Sequence, residues 1–411
     1  MKDSIRLLKT PFLRSIYTSV ILLNIGVWVR NFAILMFVME QTNNNPFAIS
    51  MISIAQFGPM FLFSFIGGTL ADRWKPKKTM VVSDLISSVF ILLILVTLSL
   101  GIWQVIFFAT LCSSIFSQFT SPSAMKLYKK HVEGEKLQLA LSLYQTIQSI
   151  FMIMGPALGA YVFSTVGIYP SLLITATAFL LSAISLSTIP KDEEVVRLGS
   201  SRKGILKDMK AGLQYVLAKK ELKIMGGCYI FAGLAVGLIQ PLAVFIILEK
   251  LSLPKENVKY LMMASGFATL FGSFFVMFLR NKLTPQKQLA LGMLVDAVCL
   301  TVIGYSESLV LTFTAQIVYG LFQPMIHIGI NTIMVRTSEQ EFLGRVNGLL
   351  NPLFMGMMLL MISGAGWFKG MFSISIIYSV SGLLFFIGML TVVPLFKLNF
   401  STSKEATKLV Q

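Results

Sequence analysis

The chain has 411 residues, of which 55% are hydrophobic and 13% charged, with a formal net charge of +16. Soluble domains carry about 25% charged residues, so this composition excludes a soluble globular protein of this length. Apolar stretches of about 20 residues can cross the hydrocarbon layer as helices. Backbone polar groups in lipid have to be satisfied within their own segment, which also favours helices.

Twelve such stretches follow one another along the chain. They cover residues 12–39, 47–71, 79–100, 102–124, 138–165 and 169–189, then 222–249, 257–279, 286–305, 309–335, 344–368 and 371–396. The only long polar segment separates the sixth stretch from the seventh. We therefore predict an all-α membrane protein made of two six-helix bundles, residues 1–189 and 222–411, joined by a basic linker at 190–221.

Most of the 34 Lys and Arg residues lie at the two termini, in the linker and in every second loop. This asymmetry follows the positive-inside rule and predicts that both termini and the linker are cytoplasmic. The basic charge thus indicates topology and attraction to anionic lipid headgroups, not nucleic-acid binding. Within the linker, apolar residues at helical spacing predict an amphipathic helix at the membrane face. They are Ile205, Met209, Leu213, Val216 and Leu217.

The loop between spans 2 and 3 is short, basic and entered through glycines. It reads Gly67-Gly68-Thr69-Leu70-Ala71-Asp72-Arg73-Trp74-Lys75-Pro76-Lys77-Lys78. A shift of 209 positions places 281–287 over 72–78, which is a faint internal repeat of the kind expected of two related halves.

This loop resembles the signature loop of the major facilitator superfamily, and the resemblance extends over most of the chain. More narrowly, the chain resembles the exporter branch that includes bacterial enterobactin exporters and macrolide-efflux proteins. The stretches that carry the resemblance are Asn24-Ile25-Gly26-Val27-Trp28, Gly68-Thr69-Leu70-Ala71-Asp72-Arg73, Gly155-Pro156-Ala157-Leu158-Gly159 and Gly344-Arg345-Val346.

The resemblance implies a transporter whose two six-helix halves rock about a central site. It implies a conformational lock at the cytoplasmic helix ends, and Asp84, one turn into span 3, could join it. The residues of this predicted lock are Gly68, Asp72, Arg73, Lys77, Lys78 and Asp84. It also implies an export-linked sealing element in span 5, at Gly155, Pro156 and Gly159; ordinary small-residue helix packing is the alternative. Span 4 lacks the Arg that drug/proton exchangers often carry, so coupling by that residue does not transfer.

Polar residues at helical spacing follow one face in each of spans 1, 4, 7 and 10. In the resembled fold these four spans line the central cavity. The candidates for the cavity and substrate are Asn24, Trp28, Asn31, Ser113, Ser117, Gln240, Gln316, Tyr319, Gln323, His327 and Asn331. The alternative for the hydroxyls is hydrogen bonding to their own helix carbonyls.

Ionisable residues inside a membrane are functional candidates. Three are predicted to take part in coupling: Arg30, Asp296 and His327. Arg30 lies away from the polar stripe of span 1 on a helical wheel, so pairing within the first bundle is an alternative. Asp296 lies in span 9, which is peripheral in the resembled fold. His327 titrates near neutral pH in water, but a structural role fits it equally well.

With this resemblance, we predict a secondary transporter of a bacterial inner membrane, acting as a monomer, that exports a drug, siderophore or other secreted small molecule in exchange for protons. An importer of the same fold and a non-transporting sensor or assembly protein are the alternatives. No nucleophile–base pair, phosphate loop or metal cluster is visible in the sequence. We therefore expect neither enzyme activity nor a cofactor or metal.

Overall fold

The computed structural model describes residues 10–73, 75–132, 134–190, 202–279, 282–339 and 342–397, with the side chains of 64–73, 121, 135, 202–209 and 397 outside that description. All regular secondary structure in these ranges is helical. Twelve segments are long and apolar enough to cross a membrane. The predicted all-α membrane fold is confirmed.

The first six spans are formed by helices Pro11–Gln41, Pro46–Arg73, Pro76–Ser99, Val105–Ser117 with Thr120–His131, Glu135–Val166 and Ile168–Ser187. The linker helix is Arg202–Ala218. Span 7 is Lys220–Ile239 followed by short irregular helical turns up to Lys250. Spans 8 to 12 are Val258–Leu279, Pro285–Tyr305, Leu309–Thr337, Leu343–Met371 and Ile374–Val392.

Helix starts follow from local sequence. Pro11, Pro76 and Pro285 occupy the first turn of spans 1, 3 and 9, where the missing backbone N–H costs no hydrogen bond. The hydroxyls of Ser308 and Ser373 accept hydrogen bonds from backbone N–H groups of spans 10 and 12. These signals set where the spans begin, while apolar length sets how far they run.

Span 4 differs from the prediction. It is interrupted at Gln118 and Phe119, and it then continues as the helix Thr120–His131, through the segment predicted to be a basic loop. The continuation is amphipathic: Leu127 and Tyr128 are buried, whereas Lys129 and Lys130 are exposed. A hydropathy window that ends where the lysines begin misses such a helix, because its apolar face packs on the bundle.

The two bundles repeat one packing pattern. Span 1 packs against spans 5 and 6, span 2 against span 4, and span 3 against spans 4 and 6. Adding six to each number gives the main contacts of the second bundle: span 7 with 11 and 12, span 8 with 10, and span 9 with 10 and 12. This agreement supports two structurally related halves, in accord with the faint sequence repeat.

The halves meet mainly through two pairs of spans, 2 with 11 and 5 with 8. At Gly366 of span 11, an added Cβ would lie 2.5 Å from the Cα of Phe47 in span 2. At Gly266 of span 8, it would lie 3.1 Å from the Cα of Ile153 in span 5. These contacts run from the middle of the spans to the ends opposite the chain termini, so the halves are closed on that side.

An ion pair lies on the same closed side. The Nζ of Lys255, before span 8, is 3.0 Å from the Oε1 of Glu40 at the end of span 1. It is the one hydrogen-bonded ion pair between the two halves among the described residues. At the terminus side, by contrast, an apolar cluster around Phe12, Leu13 and Tyr128 contains first-half residues alone.

The linker helix packs on the second half. Its Tyr215 ring stacks on the Phe342 ring, with centroids 4.2 Å apart and planes at 6°. The Nζ of Lys219 donates to the Tyr215 hydroxyl at 2.6 Å and to Glu339 Oε1 at 3.2 Å. These two partners raise the pKa of Lys219. The predicted apolar face is divided: Val216 is buried, whereas Leu213 and Leu217 are exposed.

Candidate functional site

Span 10 carries a polar stripe and packs mainly on spans 8 and 9 of its own half. We call the space between the two halves on the terminus side the gap. Gln316, Tyr319 and Gln323 are half-buried, and the Gln323 amide donates to the Tyr319 hydroxyl at 2.8 Å. His327 and Asn331, nearer the terminus side, are exposed. The exposed apolar residues Ile317 and Ile328 lie on another face, about 100–120° from the middle of the stripe on a helical wheel. A polar exposed face distinct from an apolar one is what a helix between a water-filled gap and lipid requires.

Polar residues in the stripes of spans 1 and 4 form hydrogen bonds to carbonyl groups of their own helices. The Asn24 amide donates to the Val20 carbonyl at 2.8 Å, and the Ser117 hydroxyl donates to the Ser114 carbonyl at 2.8 Å. For Ser117 this is the alternative stated for hydroxyls, although its side chain is also exposed. In span 7, Gln240 is exposed and begins the 3-10 turn Gln240–Leu242.

Arg30 joins two of the other candidates. Its Nη1 donates to the Ser113 hydroxyl at 2.7 Å, and its Nε and Nη2 donate to Asn31 Oδ1 at 3.1 and 2.9 Å. The side chain is 4% exposed. It therefore bridges spans 1 and 4 within the first half, and it contacts the polar stripe despite its angle on the wheel, because the guanidinium lies at the end of a long side chain.

The span 5 motif packs on span 1. A Cβ on Gly155 would overlap the Trp28 indole, and a Cβ on Gly159 would lie 2.6 Å from the Trp28 carbonyl and 2.8 Å from the Phe32 Cβ. The glycines therefore permit a helix approach that a larger residue would block. Trp28, predicted as a cavity residue, is seated against this motif, and Pro156 lies inside the same helix.

The predicted lock is described in part. Gly68, Asp72 and Arg73 belong to the helix Pro46–Arg73, but their side chains lie outside the described residues. Lys77 donates to the Ser187 carbonyl at 2.7 Å and to that of Ile189, at the end of span 6. Lys78 follows it in the first turn of span 3.

Asp84 lies in the interior of the first half. The Ser182 hydroxyl of span 6 donates to Asp84 Oδ2 at 2.6 Å, and Ser182 shares a second hydrogen bond with Ser19 of span 1 at 2.8 Å. Sequence reasoning missed these partners. The sequence did carry a signal, because Ser171, Thr175 and Ser182 recur at helical spacing on one face of span 6. The structure shows that all three are fully buried.

Asp296 is fully buried in span 9, and neither carboxyl oxygen has a hydrogen-bond partner among the described residues. Tyr319 of span 10 and Cys299 are close enough to interact with it electrostatically. An ionised carboxylate without donors is costly in a membrane interior. Protonation of this carboxyl group would remove the cost of burying its charge, and that cost is larger here than for any other described acid.

Two repeated six-helix bundles that close against each other on one side, with polar positions along the helices between them, define a membrane transporter. The sequence profile of the Major Facilitator Superfamily matches residues 16–225. The chain belongs to this family of multi-pass membrane transporters, which are not enzymes.

Its relatives are bacterial. It is 25% identical over 342 residues to the uncharacterized MFS-type transporter YkuC of Bacillus subtilis, covering 80% of this chain and 79% of YkuC. It is 22% identical to the multidrug efflux pump Tap of Mycolicibacterium fortuitum, covering 76% and 78%. Macrolide efflux protein A of Streptococcus pyogenes is 24% identical over 216 residues, covering 51% of this chain and 53% of that protein.

Solved structures show the same fold at low sequence identity. The nucleoside transporter NupG superposes with a TM-score of 0.75 at 14% identity, covering 94% of this chain and 99% of that one. A bacterial homolog of the human lysosomal transporter Spinster, in an inward-facing and unoccupied conformation, gives a TM-score of 0.65 at 11% identity.

Proposed function

We propose that this protein is a proton-coupled exporter of a drug, siderophore or other secreted metabolite, working by alternating access as a monomer in a bacterial inner membrane. The similarity to proteins named as efflux pumps supports export. The close packing of Gly155 and Gly159 on Trp28 gives the export-linked motif of span 5 a physical role, because it seals the first half behind the gap.

The observation that carries the proposal is that the halves are held together on the side opposite the termini. The excess of Lys and Arg at the termini and linker favours a cytoplasmic location for that side. With this orientation, the structure corresponds to the cytoplasm-open state, in which an exporter loads its substrate. Export then requires that the span 2–span 11 and span 5–span 8 contacts open.

The predicted lock acts in the opposite state. Asp72 and Arg73, with Lys77 and Lys78, would hold the cytoplasmic helix ends together once the substrate has been enclosed. Lys77 already ties the start of span 3 to the end of span 6. Motion of the first half would therefore carry the lock residues as one unit.

Asp296 is the carboxyl group we propose for proton coupling. It is fully buried and has no described hydrogen-bond partner, so gain or loss of a proton there changes the energy of its surroundings more than at a solvated acid. His327 is exposed and is the candidate for passing a proton to or from water.

The test uses everted vesicles that contain the protein, energised to an acid interior and followed with a pH-sensitive dye while drugs and siderophores are added. We expect a substrate to dissipate the gradient in wild-type vesicles and not in Asp72→Asn vesicles, with both proteins inserted equally. Equal dissipation by the variant would remove the lock from the proposal. Flux in the reverse direction would make the protein an importer, and a stoichiometric protein partner without flux would indicate a non-transporting role.

A further inference from the structure

We propose that Arg30, Asn31 and Ser113 form a binding site for an acidic group, such as a carboxylate, on the transported molecule. This inference rests on the proposed function and narrows its substrate class to molecules that carry an anionic group. It joins residues of spans 1 and 4 into one site, for which the hydrogen bonds, the charge and the position in the fold give independent support.

The hydrogen bonds leave part of the guanidinium free. Of its five N–H groups, three donate to the Ser113 hydroxyl and to Asn31 Oδ1. The other two lie one on each terminal nitrogen and have no partner among the described residues. Two adjacent N–H donors match the two oxygens of a carboxylate, which arginine binds in a bidentate manner.

The charge of Arg30 is not balanced by the described part of the chain. Both of its partners, Asn31 and Ser113, are neutral, and no described acid forms an ion pair with it. Of the two buried acids within the described spans, Asp84 is bonded to Ser182 and Asp296 lies in the other half. A buried cation in a membrane interior is costly unless an anion accompanies it.

The position places this cation at the closed end of the gap. Phe32 and Met36, just beyond Arg30 on span 1, belong to the apolar cluster that continues into the second half. Asn31 is half-buried beside Arg30, and on the open side Ser117, one turn from Ser113 on span 4, is exposed. A molecule that enters from the open side therefore meets Ser117 before it reaches the guanidinium.

The competing explanation is that Arg30 only pins span 1 to span 4. A pin gives stability but no selectivity between an acid and its methyl ester, which lacks the carboxylate charge. Asn31→Asp separates the two explanations, because it places a carboxylate beside the guanidinium. If Arg30 only holds span 1 to span 4, the new carboxylate keeps or strengthens that contact. If Arg30 binds an acidic ligand, the new carboxylate supplies the missing counter-charge and competes with the ligand.

The experiment measures binding to the full chain in nanodiscs of neutral lipid, with empty nanodiscs as the blank. The probes are acids paired with their own methyl esters: 1-naphthoate, fluorescein and rhodamine 110, whose methyl ester is rhodamine 123. We expect at least one acid to bind about tenfold or more tightly than its ester. We expect this preference to vanish in Asn31→Asp and Arg30→Gln, and to persist in the matched control Arg336→Gln, which changes an exposed arginine at the end of span 10.

Absence of an acid preference in every pair, or its persistence in Asn31→Asp, overturns the site. If Arg30→Gln does not fold, the wild-type protein and Asn31→Asp still decide the question. The proposed function is tested separately, by flux in everted vesicles. Acid-selective binding without export would refute the exporter and leave the site, whereas export without acid preference would refute the site alone.

Discussion

Replacing Gly366 by alanine perturbs the contact that closes the two halves on the side opposite the termini. The added Cβ would lie 2.5 Å from the Cα of Phe47 and 2.6 Å from the carbonyl oxygen of Pro46. Ordinary carbon contacts lie at about 3.5–4.0 Å, and both of these neighbours are backbone atoms that cannot rotate away. Overpacking of this kind costs about 1–3 kcal/mol.

That cost falls only on the state in which spans 2 and 11 meet at these ends. In an alternating-access cycle, Gly366→Ala should therefore shift the equilibrium towards the opposite state by about 5–150-fold. In addition, alanine stabilises a helix by about 1 kcal/mol relative to glycine, whichever state the transporter is in. The control is Gly370→Ala, one turn further along the same helix, where an added Cβ meets nothing within 4 Å.

The assay is a spin-label distance measurement across the closed side. Labels at Leu100→Cys and Glu307→Cys, which are exposed on the first and second halves, would be placed in a background without the native cysteines. We expect a longer-distance population that grows in Gly366→Ala and is unchanged in Gly370→Ala. Identical distance distributions in these two variants would refute the argument that this contact holds the closed state.

Three further predictions concern other parts of the fold. Gly159→Ala should lower the thermal stability by about 1–3 kcal/mol through overlap with span 1, whereas Gly348→Ala, with open space around it, should not; equal melting temperatures would contradict the proposed close packing. Glu339→Ala should speed hydrogen exchange in the linker helix, because it removes a side-chain partner of both Lys219 and Tyr215; unchanged exchange would show that the carboxylate is not needed and that the ring stacking and the bonds to backbone groups hold the helix. Asp296→Asn should fold normally, since no described hydrogen bond is lost, but should abolish proton-driven export in everted vesicles; retained coupling would exclude Asp296 as the proton carrier.

Sequence patterns predicted the candidate site unevenly. The stripe of span 10 was accessible to prediction because large polar residues at helical spacing are rare inside a membrane. The environment of Arg30 was not, because a helical wheel gives the direction of a Cα–Cβ bond and not the reach of a long side chain. The bond between Asp84 and Ser182 was also out of reach, because it joins residues that are 98 positions apart.

The sequence by itself determined the set of twelve spans, the uneven distribution of Lys and Arg between alternate loops and the two-half organisation, because these depend on apolar length and on where the charges lie along the chain. Tertiary structure alone decided which helices meet, that Gly155 and Gly159 receive Trp28, and that the halves close on the side away from the termini. Such contacts depend on the shapes of surfaces far apart in sequence. Periodicity assigns a residue to a face of its helix, and only packing determines what that face touches.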